Sequence, residues 1–434
     1  MRMIDLIEKK KLGGEHTEDE INFIINGMLS GSIPDYQLSA WLMGVCFKGM
    51  TFDESAMLTL AMAKSGDVLD LCPLGDCIID KHSTGGVGDK TTLIIVPLLA
   101  AAGFPVAKLS GRGLGFTGGT IDKLESIPGF RTALTNDEFI AQVKNVGGAI
   151  ASQTGNFTPA DKKLYELRDV TATVNSIPLI ASSVVSKKIA AGANVIVLDV
   201  KCGSGAFMKS VEESRELAGT MVEIGKRAGR AISAVITSME QPLGNSIGNG
   251  IEVSESIQVL KDEGPADLKE ICLYLSAKGL MQAGKVKTIE EGRKHLEKFL
   301  KDGSAYAKFL DIVKAQGGNT DYIENPEKLY ETQFAFTLEA EEAGYVESLD
   351  ALTVARASKM LGTGRDKKDD PINYNTGIFL NKKIGDKVYK REMLAKVYAN
   401  SVEEGQKSRE LLLSAFKLSK NPIEPPPLVL GVVG

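Results

Sequence analysis

Apolar and polar positions follow a helical period over about the first 65 residues. Thr17-Glu18-Asp19-Glu20 and Thr51-Phe52-Asp53-Glu54 each place a threonine three positions before a glutamate and ahead of an apolar segment. This is the pattern of a capping box at the start of a helix. Pro34 suits the start of a further helix ahead of the apolar segment 38–47. We therefore predict that an all-helical domain opens the chain.

From Cys77 onward the pattern changes to short β-rich runs separated by glycine loops and helical stretches. Strands that alternate with helices predict a mixed, mostly parallel sheet covered by helices, and therefore a large α/β domain. The predicted strands are Cys77–Ile79, Leu93–Val96, Val106–Leu109, Val195–Val200 and Ala231–Ile236.

The segment Thr158–Ala190 returns to a helical pattern, with Thr158 as the predicted N-cap, Pro159 in the first turn and Asp161 near the positive helix end. After about Glu342, short alternating runs predict a C-terminal α+β module. These runs are Thr376–Leu380 and Lys387–Val388, and Pro425–Pro427 predicts an extended tail or edge segment. The predicted division is a helical domain from residues 1–66 and 158–192, an α/β domain from 67–157 and 193–342, and the module at 343–434.

Composition narrows the class of protein. A chain of 434 residues with 43% hydrophobic content exceeds one ordinary core, in agreement with several domains. The net charge of -5, with both signs spread along the chain, gives no electrostatic footprint for nucleic acid or an acidic membrane surface. No apolar run near the N-terminus fits a signal peptide or anchor, and the five cysteines lie in apolar contexts. We expect a cytoplasmic protein.

Two glycine-rich segments carry the first candidate chemistry. Lys81–Asp89 follows a predicted strand and precedes a helix that should begin near Lys90, and its glycine N–H groups can surround an oxyanion beside Lys81 and Ser83. Lys108–Thr120 again follows a strand and mixes hydroxyls with basic residues. Loops at the carboxyl ends of strands converge on one crevice in open α/β sheets, so together they predict phosphate binding. Tight strand-to-helix packing also selects glycine and is the alternative.

Four polar residues outside the glycines are further candidates. His82 is the only one of three histidines in a candidate site, with a hydrogen-bonding or acid role. Ser183 and Lys187 share one helix face, which can present a hydroxyl and an ammonium to a planar polar ligand. The alternatives are a solvated surface for Lys187 and its neighbour Lys188, and an ion pair from Arg168 to Asp169 or Glu166.

Five motifs resemble those of thymidine and pyrimidine-nucleoside phosphorylases, nearly end to end and in the same order. They are Lys81–Asp89, Lys108–Lys123 with Leu124-Glu125, Arg168–Thr173, Ser176–Ile180 and Val200–Met208. The resemblance implies an enzyme that splits pyrimidine nucleosides (uridine, deoxyuridine and thymidine) with inorganic phosphate, releasing the base and a pentose 1-phosphate. It implies a homodimer whose helical and α/β domains are separated by a cleft that closes for reaction.

The resemblance also implies roles for individual residues. Phosphate would be held by Lys81, Ser83, Thr92, Lys108, Ser110 and Thr120. The nucleoside would be bound by His82, Arg168, Ser183, Lys187 and Phe207. Among these, His82, Arg168 and Lys187 would be catalytic because they place donors at the oxygens of the departing base. Lysine at position 108 implies a broad enzyme that accepts uridine as well as thymidine.

Two positions depart from the family pattern. Phe116 stands where a histidine is common, which removes one polar contact to sugar or base. Lys90 stands where some members have a threonine that helps to bind a monovalent or calcium cation, together with Gly88, Leu243, Ser246 and Glu255. The hypothesis is that the Lys90 ammonium replaces that cation. The alternative is a Lys90 that points to solvent. No cofactor is expected to be required.

Two other functions are alternatives. An anthranilate-phosphoribosyltransferase-like enzyme would share the architecture, but it needs paired carboxylates for magnesium, which the corresponding loop does not offer. A non-catalytic nucleoside or phosphate sensor would also be compatible with the fold. The joint presence of His82, Arg168, Ser183 and Lys187 argues against a sensor.

Overall fold

The structure is a computed structural model that describes residues 1–75, 77–113, 118–153, 156–365, 367 and 370–434. The chain opens with four helices, as predicted: α1 (Met3–Lys11), α2 (Glu18–Ser30), α3 (Asp35–Lys48) and α4 (Phe52–Ala63). Both predicted capping boxes are confirmed, at Thr17 and at Thr51, with the reciprocal bonds to the glutamate three positions later. Pro34 lies at the N-cap of α3. Local hydrogen bonds therefore set the starts of α2 and α4.

The α/β region begins with β1 (Ile79–Ser83), α5 (Thr91–Ala101), β2 (Val106–Ser110), α6 (Thr120–Glu125), α7 (Asn136–Val146) and β3 (Gly148–Ser152), after a 3-10 turn at Cys72–Leu74. The strand predicted at Leu93–Val96 is wrong, because these residues lie inside α5, whose first ten residues are all buried. A helix that is buried on every side has no polar face and hence no helical period in its sequence. The first strand also starts later than predicted, so Lys81, His82 and Ser83 belong to β1.

The next two helices are α8 (Pro159–Val170) and α9 (Ile177–Ala190). Leu164 and Leu179 lie in the same apolar core as Trp41, so these helices pack on the opening helices. The helical pattern predicted here is confirmed, apart from a short link between the two helices. The cap predicted at Thr158 is wrong in its detail, because this residue has a left-handed backbone (φ 44°) and its side chain makes no capping bond.

The α/β region then resumes. Its elements are β4 (Val195–Cys202), α10 (Val211–Arg227), β5 (Ala231–Ser238), β6 (Ser246–Gly248), α11 (Gly250–Leu260), α12 (Ala266–Gln282), α13 (Ile289–Lys301), α14 (Ser304–Ala315) and α15 (Asp321–Glu324), followed by a 3-10 turn at Pro326–Tyr330. The strands predicted at Val195–Val200 and Ala231–Ile236 are confirmed within β4 and β5.

The C-terminal α+β part contains β7 (Phe334–Glu339), β8 (Gly344–Leu349), α16 (Ala351–Lys359), β9 (Gly377–Leu380), β10 (Lys387–Val388), β11 (Met393–Ala399), α17 (Val402–Leu413), β12 (Phe416–Ser419) and β13 (Val429–Val433). The strands predicted at Thr376–Leu380 and Lys387–Val388 are confirmed. The segment after Pro425–Pro427 becomes β13, which pairs antiparallel with β5. The chain end is therefore an edge strand of the α/β sheet, and the domain boundaries drawn from the sequence stay a prediction.

The strand order determines where the two glycine-rich segments lie. The main sheet has the order β1-β4-β5-β13, in which β1, β4 and β5 are parallel, and β2 pairs in parallel with β3. The first glycine segment leaves the carboxyl end of β1 and the second leaves the carboxyl end of β2. Within the described residues, no helix is both long and apolar enough to cross a membrane.

Candidate active site

Lys81 lies on strand β1 and contacts a buried polar cluster at the carboxyl end of this strand. The Lys81 Nζ donates to Thr91 Oγ1 at 2.6 Å, and it lies 3.1 Å from Asp199 and 3.6 Å from Asp89. Burial acts to lower the pKa of Lys81, but Asp89 and Asp199 outweigh it and raise the pKa above its ordinary value. Lys81 is therefore a permanent cation at the base of the first glycine segment.

The first glycine segment needs its glycines for conformation and for space. Gly85 and Gly88 have φ values of 97° and 71°, in the left-handed region. A Cβ at Gly88 would lie 2.5 Å from the Leu243 carbonyl oxygen, so the loop approaches that backbone closely. The Gly85 N–H donates to Ser83 Oγ at 3.1 Å, and Thr92 is buried in the first turn of α5. The segment thus combines hydroxyls with a tight turn beside Lys81.

The second glycine segment begins where β2 ends, at the buried Ser110. The N–H of Gly113 donates to Asp122 Oδ2 at 2.6 Å, and Thr120 is the first residue of α6. Phe116, the departure from the family pattern, lies outside the described residues. The carboxylate of Asp122 therefore ties the start of this segment to α6.

Lys108 on β2 contacts β1 directly. Its Nζ lies 2.9 Å from Asp80 Oδ1 and also donates to the Lys81 carbonyl. The other oxygen of Asp80 lies 2.9 Å from the Nζ of Lys188 on α9, so one carboxylate serves two ammonium groups. Burial lowers the pKa of Lys108 to about 7, with Asp80 opposing this shift and Lys188 adding to it. Lys108 therefore changes its charge near neutral pH.

Arg168 is buried near the end of α8 and braces the link to α9. Within the described chain, its guanidinium donates to backbone carbonyls and to neither Asp169 nor Glu166, so the alternative ion pair is wrong. The acceptors are the carbonyls of Val174 (2.7 Å), Thr173 (3.3 Å) and Leu179 (3.3 Å).

Ser183 and Lys187 share one face of α9, as their spacing predicts. The Lys187 Nζ donates to Ser183 Oγ at 3.1 Å and lies 2.5 Å from Asp161 Oδ2 on α8. The Lys187 side chain is 26% exposed and Lys188 is 2% exposed, so the interpretation of both as solvated surface lysines is wrong. The hydroxyl and ammonium are held together, with Asp161 as the counter-ion.

His82 lies where these groups act together. Desolvation holds the pKa of its imidazole well below the ordinary value, and the positive charges of Lys188, Lys108, Lys187 and Lys81 lower it further. Two of these lysines come from the strands that carry the glycine segments, and two come from α9. At neutral pH the imidazole is uncharged and carries one N–H group that can donate a hydrogen bond.

Phe207 and Lys90 are the two remaining predicted positions. Phe207 follows β4, and its side chain is 48% exposed.

Lys90 is buried. Its Nζ donates to the carbonyl oxygens of Ser246 at 2.7 Å and Leu243 at 3.2 Å, and it lies 2.5 Å from Glu255 Oε2. The interpretation of Lys90 as a solvent-facing residue is therefore wrong. Burial acts to lower the pKa of Lys90, but Glu255 and then Glu252 outweigh it and raise the pKa.

Sequence reasoning missed several buried charges that organise the site. Asp80, Lys188, Asp199 and Lys201 are each at most 2% exposed. The Lys201 Nζ lies 2.9 Å from Asp199, which also accepts a bond from Thr237. The signal was present, because charged residues are rarely fully buried unless paired, and Asp199 and Lys201 interrupt an otherwise apolar strand.

Comparison with known proteins identifies the relatives of this chain. Residues 4–66 match the helical bundle domain and residues 75–306 the a/b domain of a glycosyl transferase family, and residues 345–419 match the pyrimidine nucleoside phosphorylase C-terminal domain. The chain is 52% identical over 429 residues to a pyrimidine-nucleoside phosphorylase of Geobacillus stearothermophilus, covering 99% of both chains. It is 54% identical over 400 residues to that of Bacillus subtilis (strain 168), covering 92% of both.

A solved structure shares the fold at much lower identity. Anthranilate phosphoribosyltransferase from Thermus thermophilus aligns with a TM-score of 0.58 and 19% identity, covering 72% of this chain and 99% of the other. This likeness concerns the fold alone. The three matched regions and the identity over nearly the full length establish that the chain belongs to the pyrimidine-nucleoside phosphorylase family.

Proposed function

We propose that this chain catalyses the phosphorolysis of pyrimidine nucleosides to the free base and a pentose 1-phosphate. The observation that carries the proposal is the set of positive charges that act on His82 near the carboxyl end of β1. The pKa of its imidazole is lowered by burial and by the ammonium groups of Lys81 and Lys108, on the strands that precede the glycine segments. It is lowered also by Lys187, on the helix that bears Ser183. A phosphate and a pyrimidine bound to these two sets would meet at this histidine.

The phosphate half consists of Lys81, Ser83, Thr92, Lys108, Ser110 and Thr120. Lys81 supplies fixed positive charge, and the hydroxyls and glycine N–H groups supply hydrogen bonds to the phosphate oxygens. An ammonium that is already paired in the free protein costs little reorganisation when the anion arrives. This half positions the attacking oxygen, which needs placement more than activation.

The base half consists of Arg168, Ser183, Lys187 and His82, with Phe207 beside the substrate. As the bond between the sugar C1′ and the base nitrogen breaks, its electron pair stays on the pyrimidine while a phosphate oxygen forms the new bond to C1′. Donors at the pyrimidine oxygens stabilise the charge that develops there. The neutral His82 contributes an N–H donor, and Lys187 donates to a pyrimidine oxygen with its remaining N–H group while Asp161 holds the ammonium in place.

Water must be kept out of this reaction, because it would hydrolyse the activated sugar. The proposal includes closure of the cleft between the helical and α/β domains once both substrates are bound.

The proposal also includes a homodimer in the cytoplasm. Ile4, Tyr36 and Phe47 are exposed side chains on the adjoining helices α1 and α3 (53%, 74% and 80% exposed), and in this proposal they pack against a second copy. Phe47→Glu should then shift the sedimentation of the protein toward the monomer.

Lys90 takes the place of a cation in this proposal, and no cofactor is required. Its three N–H donors meet the Glu255 carboxylate and the carbonyls of Leu243 and Ser246, and its backbone N–H donates to Gly88 O at 3.0 Å. A bound cation would draw together the same oxygen ligands. The ammonium does so without dependence on the ionic conditions.

Release of uracil and thymine from uridine, deoxyuridine and thymidine tests the proposal, with and without inorganic phosphate. We expect phosphate-dependent release from all three, with uridine and thymidine within a few orders of magnitude of one another. Lys81→Ala should abolish most of the phosphate-dependent release, and Lys144→Ala, at an exposed position on α7, is the matched control. Binding of nucleoside without release would favour a sensor, and activity only with a pyrophosphorylated sugar would favour the phosphoribosyltransferase reaction.

A further inference from the structure

Helix α11 presents two buried carboxylates on one face, at Glu252 and Glu255. Glu255 pairs with Lys90, as described above. Glu252 is 1% exposed, and its Oε1 accepts the Gly248 N–H at 3.0 Å. Its Oε2 lies 3.4 Å from the Nζ of Lys123 and 3.9 Å from the Nζ of Lys90. Among the described residues this oxygen accepts no hydrogen bond, so its charge is offset by the two ammonium groups.

The two lysines lie at the starts of the helices that follow the two glycine-rich segments. Lys90 is the N-cap of α5, directly after the first segment. Lys123 belongs to α6, directly after the second, and it is 1% exposed. The chain passes closely over it at Gly118, where an added Cβ would lie 2.8 Å from the Lys123 Nζ. One carboxylate on a third element is therefore within ion-pair distance of both segments.

A small cavity shows that the segments approach each other at this carboxylate. Gly88, Gly118 and Glu252 line the same half-open space of about 30 Å³, and residues near the end of α16 line another side of it. The side chains of Lys90, Lys123 and Glu252 are at most 2% exposed, so their charges are screened little. Within this cluster, Lys90 and Lys123 balance Glu252 and Glu255, which leaves two buried charges of each sign.

We propose that Glu252 is a positioning residue for the phosphate substrate, which it serves by fixing the spacing of the two glycine-rich segments through Lys90 and Lys123. The inference rests on the proposed function, in which these segments hold phosphate. Glu252 itself does not contact phosphate. Glutamate suits the task because its carboxylate reaches both ammonium groups, while aspartate is one methylene shorter and glutamine lacks the charge.

The test uses Glu252→Gln and the double variant Lys123→Met/Glu252→Gln in the full-length enzyme. The double variant removes one charge of each sign, so it guards against a single variant that fails to fold. Steady-state kinetics with uridine and inorganic phosphate, phosphate binding by calorimetry, and Tm are measured for each. Glu263→Gln, at an exposed position just beyond α11, is the matched control.

We expect the KM for phosphate to rise about tenfold or more in both variants, because misplacement by about 1 Å can cost about 10²-fold. The KM for uridine should change less than threefold, and the Tm of the double variant should stay within a few degrees of wild type. A folded double variant with wild-type phosphate KM would overturn the proposal. So would an equal rise of both KM values together with a lower Tm, which indicates a merely structural role.

Different results would refute the proposed function and the positioning role of Glu252. If wild-type protein released no base in the presence of phosphate, the phosphorolysis itself would be refuted. If wild type were active and bound phosphate, and only the Glu252 variants kept wild-type phosphate affinity, the positioning role alone would be refuted. Calorimetric titration with inorganic phosphate measures the affinity in the second case without a need for turnover.

Discussion

Lys108 should make phosphate binding sensitive to pH near neutrality. Its pKa is lowered to about 7 because it is buried beside Lys188 and shares the single carboxylate of Asp80 with it. With a pKa of about 7, the ammonium fraction falls from about nine-tenths at pH 6 to about one-tenth at pH 8. If only the ammonium form binds phosphate well, the apparent KM for phosphate rises about tenfold over this interval.

Inorganic phosphate also titrates in this range, so the experiment compares the wild type with Lys108→Arg at each pH. Arginine stays charged, and the ratio of the two KM values cancels the ionisation of the substrate. Initial rates of uracil release from uridine are measured at constant ionic strength from pH 6 to pH 8. Lys144→Arg, at an exposed lysine, is the control and should follow the wild type.

The ratio of wild-type to Lys108→Arg KM should therefore rise about tenfold between pH 6 and pH 8. A ratio that stays flat would refute the reasoning that burial and a shared counter-ion neutralise Lys108 near pH 7. Stability offers a second readout. Between about pH 7 and the ordinary lysine pKa of 10.5, the unfolded chain binds more protons at this residue. The contribution of Lys108 to the free energy of unfolding thus rises with pH in this window, and Lys108→Met should remove that slope.

Four further predictions concern other parts of the site. His82→Asn should lower kcat on thymidine by about 10²–10³-fold with little change in phosphate binding, since it displaces a donor to the departing base, and near wild-type turnover would contradict this role. Lys90→Met should lower the free energy of unfolding by about 3–5 kcal/mol in denaturant titrations, because Glu255 is left buried without its partner. Wild-type activity should be indifferent to replacing potassium by a bulky organic cation, and a potassium requirement would refute the replacement of the cation by Lys90. Asp161→Asn should raise the KM for uridine more than that for phosphate, because Lys187 loses the carboxylate that orients it, and equal effects on both KM values would count against this.

Local patterns in the sequence were sufficient where the deciding interaction is itself local. The capping boxes at Thr17 and Thr51 join residues three positions apart, and both are present in the structure. The shared face of Ser183 and Lys187 follows from four-residue spacing, and the bond between them confirms it. The motifs that carry the family resemblance were equally visible, and the relatives confirm the family.

The same patterns did not show which helices and side chains are buried on all sides. The apolar run in α5 was predicted as the strand Leu93–Val96, because a fully buried helix and a buried strand are both continuously apolar. Lys188 looked like a surface lysine for a related reason. Its neighbours along α9 do not reveal that Asp80, 108 residues earlier, lies against it.

The sequence alone determined the class of fold, most of the local elements and, through its motifs, the family and the candidate residues of the site. Tertiary structure alone decided the charge states within that site, because these depend on desolvation and on partners brought from distant parts of the chain. The neutral His82, the Lys108 that titrates near pH 7 and the Glu252 carboxylate between two lysines are products of such long-range contacts. Residue types and spacing specify which groups are available, and only their burial together fixes which of them carry charge.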